Sequence, residues 1–234
     1  MTGFGFDSPS LRKRGAQQNT AACLGVLMLE TRFPRLLGDV GHPASWQMPV
    51  RFAVVPGASP RRVVLQSDAA LLQPFIDAAR SLVQQGAAAI TTSCGFLVTF
   101  QQALQAALPV PVWTSSLLKL PELQAPGIVT VDAASLRGTH LQAAGAAADT
   151  PVEGLAPGSS LQRTLLEDLP SLDTAAAELE VTAAAQRLLR RHPALQSLVL
   201  ECTNMPPYAA AVKRATGLPV HHLLSLVHER WNAL

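Results

Sequence analysis

The chain has 234 residues, is 48% hydrophobic and 15% charged, and carries a formal net charge of +2 at neutral pH. That is ample apolar material for a core, in one large domain or two small ones. Acidic and basic residues are interspersed and aromatics make up only 5%, which leaves neither a basic face nor a stacking platform, so no nucleic acid partner is expected.

Residues 1–20 contain basic side chains but no apolar run ahead of a cleavage site. They read as a disordered tail, not a secretory signal. No window approaches the roughly eighteen apolar residues of a membrane helix, so the expectation is a cytoplasmic protein that does not engage a membrane. The three cysteines, Cys23, Cys94 and Cys202, are odd in number and far apart, which argues against a disulfide framework or a Cys-x-x-Cys zinc site.

In chain order, Leu24–Leu29 is a short apolar run of the kind that forms a strand buried on both faces. Glu30 to Pro49 is irregular and long enough to suggest a functional loop, and Glu30-Thr31-Arg32 opens it at the carboxyl end of that strand. Val50–Val55 predicts a second strand. Ser67-Asp68 can cap a helix that ends at Gly86, and Pro74 predicts either a kink or a start near residue 72. A strand follows over 87–92, then Cys94, a helix over about 96–107 and a strand over 110–114.

The pattern then restarts with an apolar strand at 127–132 and a short strand at 152–155. Asp173 or Thr174 caps an alanine-rich helix that runs to about Arg191, where His192-Pro193 breaks it. A strand over 197–201, Cys202, a helix over about 207–216, a strand over 219–223 and a helix to Trp231 complete the chain. Strand and helix alternate throughout, as in parallel sheets covered on both faces.

The strand before Cys94 has a partner in the strand before Cys202, 108 residues later, and the same offset carries Pro111-Val112 onto Pro219-Val220. The chain looks duplicated, with one cysteine per half. In parallel sheets ligands bind beyond the carboxyl ends of the strands, where both cysteines fall. A cysteine at a helix amino terminus is expected to have a lowered pKa. Two such groups in matched settings suit racemisation, in which one face of a carbon loses a proton and the other gains one. Backbone N–H groups at 95, 96, 203 and 204, with Ser93, Thr203 and Asn204, are placed to stabilise the carbanion. Only three lysines are present, none in a Schiff-base setting, so no cofactor is expected. His221-His222 has no ligand spacing, and no metal is expected.

At Thr92-Ser93-Cys94-Gly95-Phe96 and Glu201-Cys202-Thr203-Asn204 the sequence resembles the cofactor-independent aspartate/glutamate/hydantoin racemase superfamily, which also includes maleate isomerases and arylmalonate decarboxylases. The resemblance implies two similar α/β domains, each a parallel sheet flanked by helices, related by pseudo-twofold symmetry with the site in the cleft between them. It implies a first domain over 21–115 completed by 208–234, a second over 116–207, and a homodimer. By position it makes Cys94 and Cys202 the acid/base pair and Glu30, Thr31, Ser93, Gly95, Phe96, Thr203 and Asn204 substrate contacts, with Arg32 or Arg35 available to a second carboxylate. Gly95-Phe96 replaces a usual Asn-Thr pair, and Asn204 replaces a histidine that assists proton transfer. The function expected is racemisation or epimerisation of a small carboxylate such as an amino acid or hydantoin. The alternatives are a maleate-type isomerase, a decarboxylase (disfavoured by the second cysteine) or a binding protein without catalysis.

Overall fold

The computed structural model describes residues 22–234; the expected tail lies outside them. The first half forms a parallel sheet from β1 (Cys23–Leu29), β2 (Val50–Val55), β3 (Ala87–Thr92) and β4 (Val112–Trp113), in the order β2-β1-β3-β4. The second half repeats it with β5 (Pro126–Thr130), β6 (Val152–Gly154), β7 (Ser197–Leu200) and β8 (Val220–His221), in the order β6-β5-β7-β8. Identical strand order makes β3 and β7 counterparts, so the cysteines that follow them are counterparts too. The duplication legible in the sequence is a duplication of topology.

Every residue of β1 is buried, because both faces of the first sheet are covered. Cys23, Leu27 and Leu29 point into the core shared with the second half, while Leu24, Val26 and Met28 meet α7 (Leu223–Trp231) through Leu223, Leu226 and Val227. Burying a leucine such as Leu27 completely contributes about 2–3 kcal/mol. The family resemblance assigns residues 208–234 to the first half, and here the structure differs. α6 (Ala209–Thr216) leads into β8, which pairs with β7 of the second sheet, and only α7 returns to the first.

Local sequence explains the helix limits. Asp68 accepts from the Ala70 N–H, a 3-10 turn covers Ala69–Leu71, and α1 runs Leu72–Gln84. Pro74 thus falls in the first turn, where its missing N–H has no partner to lose. Asp173 caps α5 (Thr174–Arg191) by accepting from Ala176 N–H, and Ala177, Val181, Ala184, Ala185 and Leu188 form its buried stripe. The segment after Cys94 starts as a 3-10 helix, Gly95–Phe100, before α2 (Gln101–Ala107). Two short helices have no clear local signal: α3 (Gly138–Ala143) and α4 (Ser160–Leu166). The first N–H groups of α4 donate to the Glu180 carboxylate of α5, so its cap comes from another element. Among the described residues no helix is long and apolar enough to cross a membrane.

Candidate active site

β3 and β7 end facing each other, and the turns after them carry the two cysteines into one small cavity. The Ser93 N–H donates to the Leu27 carbonyl and the Glu201 N–H to the Val129 carbonyl, each at 2.9 Å. These equivalent bonds extend each sheet by one residue, so each cysteine sits where its chain leaves the sheet. The halves are then joined directly. The Thr203 hydroxyl donates to the Ser93 carbonyl at 2.6 Å, and the Ser116 hydroxyl to the Leu200 carbonyl at 2.8 Å.

Cys94, Cys202, Ser93, Gly95, Phe96, Glu201, Thr203 and Asn204 line the cavity, together with Leu29, Phe33, Pro60, Val64, Val131, Leu165 and Leu166. Free space amounts to about 30 Å³, enough for about two waters. Its walls are predominantly apolar, and among the described residues no Lys, Arg or His lines it. The rim is strapped across the halves by Asp168, which accepts from the N–H groups of Arg32 and Phe33 at 2.6 and 3.3 Å. His140 of α3 packs edge-on against Phe96, with ring centroids 5.1 Å apart, and holds that wall.

The sequence-derived contacts divide. Ser93, Gly95, Phe96, Thr203 and Asn204 reach the cavity with both cysteines, but Glu30 and Thr31 do not. Glu30 is exposed and accepts from the Gly57 N–H, while Thr31 accepts from Arg35. Neither arginine offered to a second carboxylate is free. Arg32 pairs with Asp168, and Arg35 pairs with buried Asp39 while its guanidinium lies 4.5 Å from the Phe33 ring. The N–H groups of residues 96 and 204, expected to serve the substrate, act on the thiols of Cys94 and Cys202 respectively, pulling their pKa values down.

The expectation of lowered thiol pKa values is overturned. Burial pushes Cys94 up to about 12, and the nearby Glu201 charge adds to it; the N–H groups of Phe96 and Leu97 pull the other way without offsetting it. Burial, then Glu201, raises Cys202 well above the ordinary thiol value. A short 3-10 turn supplies little dipole, and burial in an apolar cavity penalises a thiolate strongly. Both thiols are therefore held in the protonated form.

The two cysteines are not held alike. The Cys202 thiol donates to Asn204 Oδ1 at 3.6 Å, and Asn204 Nδ2 donates to Asp39 Oδ2 at 2.5 Å. A carboxylate can only accept, so the amide must present its NH₂ to Asp39 and its oxygen to sulfur. Asp39 is fixed in turn by donations from the Gly41 N–H at 2.6 Å and from Arg35 at 3.1 Å. Cys94 has no such acceptor among the described residues, and the backbone N–H groups of Phe96 and Leu97 favour its charged form. Asp39 and Glu201 are the members of this site that motif reading passes over. Each left a faint signal: an acid between Gly38 and Gly41 in a long loop, and an acid ending an apolar strand.

No protein-family model matches the chain. It is 31% identical over 216 residues to a dimethylsulfoniopropionate lyase from Durusdinium sp. clade D, covering 86% of this chain and 71% of that protein. It is 32% identical over 222 residues to dimethylsulfoniopropionate lyase 3 of Emiliania huxleyi, covering 84% of this chain and 56% of the relative, so it spans little more than half of that protein's length. Among solved structures, allantoin racemase from Klebsiella pneumoniae superposes with a TM-score of 0.63 at 16% identity, covering 91% of this chain and 89% of that one. Unliganded arylmalonate decarboxylase gives 0.56 at 18% identity, covering 85% and 86%. The chain therefore shares its fold with allantoin racemase and arylmalonate decarboxylase, and by sequence it belongs to the dimethylsulfoniopropionate lyase family.

Proposed function

We propose that this chain is a lyase that cleaves dimethylsulfoniopropionate by α,β-elimination, with Cys94 as the base. The carrying observation is the asymmetry of the two thiols on one cavity: the Cys202 proton is committed to Asn204 Oδ1, whereas the Cys94 thiol has no hydrogen-bond acceptor among the described residues. The Cys94 thiolate takes a proton from the carbon next to the carboxylate. The C–H electron pair becomes the Cα=Cβ bond, and the Cβ–S bond breaks with its pair passing to sulfur. Neutral dimethyl sulfide and acrylate leave, and the proton ends on Cys94, from which it is lost to solvent. The sulfonium lowers the cost of forming a thiolate beside it. Apolar walls suit its methyl groups, which make no hydrogen bonds.

The test is to incubate the purified protein with dimethylsulfoniopropionate and follow dimethyl sulfide in the headspace and acrylate in solution. Wild type should release both in equal amounts, Cys94→Ala neither, and Cys202→Ala a reduced but measurable amount. Absence of release by wild type would refute the lyase reading.

A second reading, racemisation by two bases, is supported by the presence of both thiols on the cavity and by the likeness to allantoin racemase. It requires that Cys94→Ala and Cys202→Ala each abolish inversion of a single enantiomer, without added cofactor. Retained turnover in Cys202→Ala counts against it.

A further inference from the structure

Glu201 is fully buried, and its two carboxylate oxygens have different surroundings. Oε2 accepts from the Thr130 hydroxyl at 2.7 Å, while Oε1 has no hydrogen-bond partner among the described residues. A buried carboxylate oxygen left bare costs about as much as a lost hydrogen bond or more, so its retention beside the cavity needs a reason. Oε1 lies against Gly95, on the wall between the two cysteine turns. Everything that titrates along that wall is an acid: Glu201, Cys94 and Cys202. Among the described residues the cavity lining carries no positive charge. Two phenyl rings, Phe33 and Phe96, complete the lining, and aromatic faces attract onium groups.

We propose that Glu201 is the counter-ion for the cationic end of the substrate, and that the site selects small carboxylates bearing an onium group, sulfonium or quaternary ammonium, over neutral analogues of the same shape. This rests on the lyase reading and deepens it. An onium centre with no N–H offers charge without hydrogen bonds, so it is suited to an oxygen that lacks a donor. Pairing Glu201 with that charge also removes the carboxylate's repulsion of the Cys94 thiolate. The onium group thereby lowers the cost of making the base as well as being the leaving group.

The probes are 3-(trimethylammonio)propanoate and 4,4-dimethylpentanoate, which match in shape and differ by one unit of charge. Neither needs to react, so binding is read by calorimetry independently of turnover. Wild type should bind the cationic probe about tenfold or more tighter, by analogy with other buried charge pairs. In Glu201→Gln that preference should collapse through loss of cation affinity, with the neutral probe unchanged. Equal affinity of wild type for both probes would overturn the proposal without any variant being needed. So would a Glu201→Gln protein that weakens both probes alike, since the carboxyl would then be reading the shared carboxylate. Release of dimethyl sulfide that depends on Cys94, alongside either of those results, would leave the lyase reading standing and sink this one alone. If neither probe binds and no dimethyl sulfide forms, both fall.

Discussion

The spacing between the two cysteine turns is set by Gly95, and Gly95→Ala tests this. The φ of Gly95 is not in the left-handed region, so an alanine suffers no backbone strain. The difficulty is space. A Cβ at 95 would stand 2.3 Å from Glu201 Oε1 and 2.4 Å from the Glu201 carbonyl oxygen. Ordinary contact begins near 3.4 Å, so the overlap is about 1 Å. A rotamer change at Glu201 relieves the first clash but not the second, which is with backbone. The turns must move apart, straining the Thr203–Ser93 link. Overpacking costs about 1–3 kcal/mol, and a backbone clash belongs at the upper end, about 3 kcal/mol. For a chain of this size that is a fall of about 6–12 °C in melting temperature, read by circular dichroism, and on the lyase reading dimethyl sulfide release should fall too, because the Cys94 turn is displaced. Adding Glu201→Ala should recover only part of the loss, since the carbonyl remains. A Gly95→Ala protein with wild-type melting and turnover would show that the turns separate freely, and the reasoning would fail.

Thr203→Val removes a buried 2.6 Å hydrogen bond between the halves and leaves the Ser93 carbonyl without that donor; the expected loss is about 1–2 kcal/mol in urea unfolding, and an unchanged midpoint would mean the link contributes nothing. Glu201 also dictates a pH dependence. Burial raises its pKa from 4.5 in the unfolded chain to about 7. Below 4.5 the carboxyl is protonated in both states and stability is full. As pH rises from 4.5 to 7 the unfolded chain ionises first, so stability falls, by roughly 3 kcal/mol in all. Urea midpoints at pH 5 and pH 8 should therefore differ in wild type and draw together in Glu201→Gln; an equal difference in the variant would place the titration elsewhere.

What the sequence made legible follows from what is local. β1, β3 and β7 are apolar runs with turn signals at their ends, and α5 carries its own cap and stripe, so each is visible within its own residues. The cysteine pair is visible because duplication repeats a strand with its terminal cysteine. The rest depends on distant partners. α4 is capped by Glu180 of another helix. Asp39 acts through Asn204, 165 residues away, and Glu201 through Thr130, 71 residues away. Thiol pKa values fail as a sequence inference for the same reason: the helix-start argument is local, but closure of the cavity by the other half is not, and burial wins. Gly95 shows the two scales meeting. In the sequence it is a missing asparagine; in the structure the carboxylate of Glu201 from the other half stands where a side chain at 95 would be.

Asn204 stands where the racemase resemblance implies a histidine, and on the lyase reading this difference bears on which product forms. A racemase must deliver a proton to the second face of its carbanion as readily as it removed one from the first. In this chain the Cys202 proton points at an amide oxygen, and the amide is locked by Asp39. An amide cannot take up and return a proton at neutral pH, so on the lyase reading delivery from Cys202 is expected to be slow, and a carbanion with a sulfonium on its neighbour would expel it instead. Asn204→His should reverse the balance. Its N–H would face Asp39 and its other nitrogen Cys202, giving that thiol a base to exchange with. In heavy water, dimethylsulfoniopropionate recovered from wild type should carry little deuterium next to the carboxylate. Substrate recovered from Asn204→His should carry more, while release of dimethyl sulfide slows. Equal deuterium in both would mean that the partition between reprotonation and elimination is not governed by Asn204.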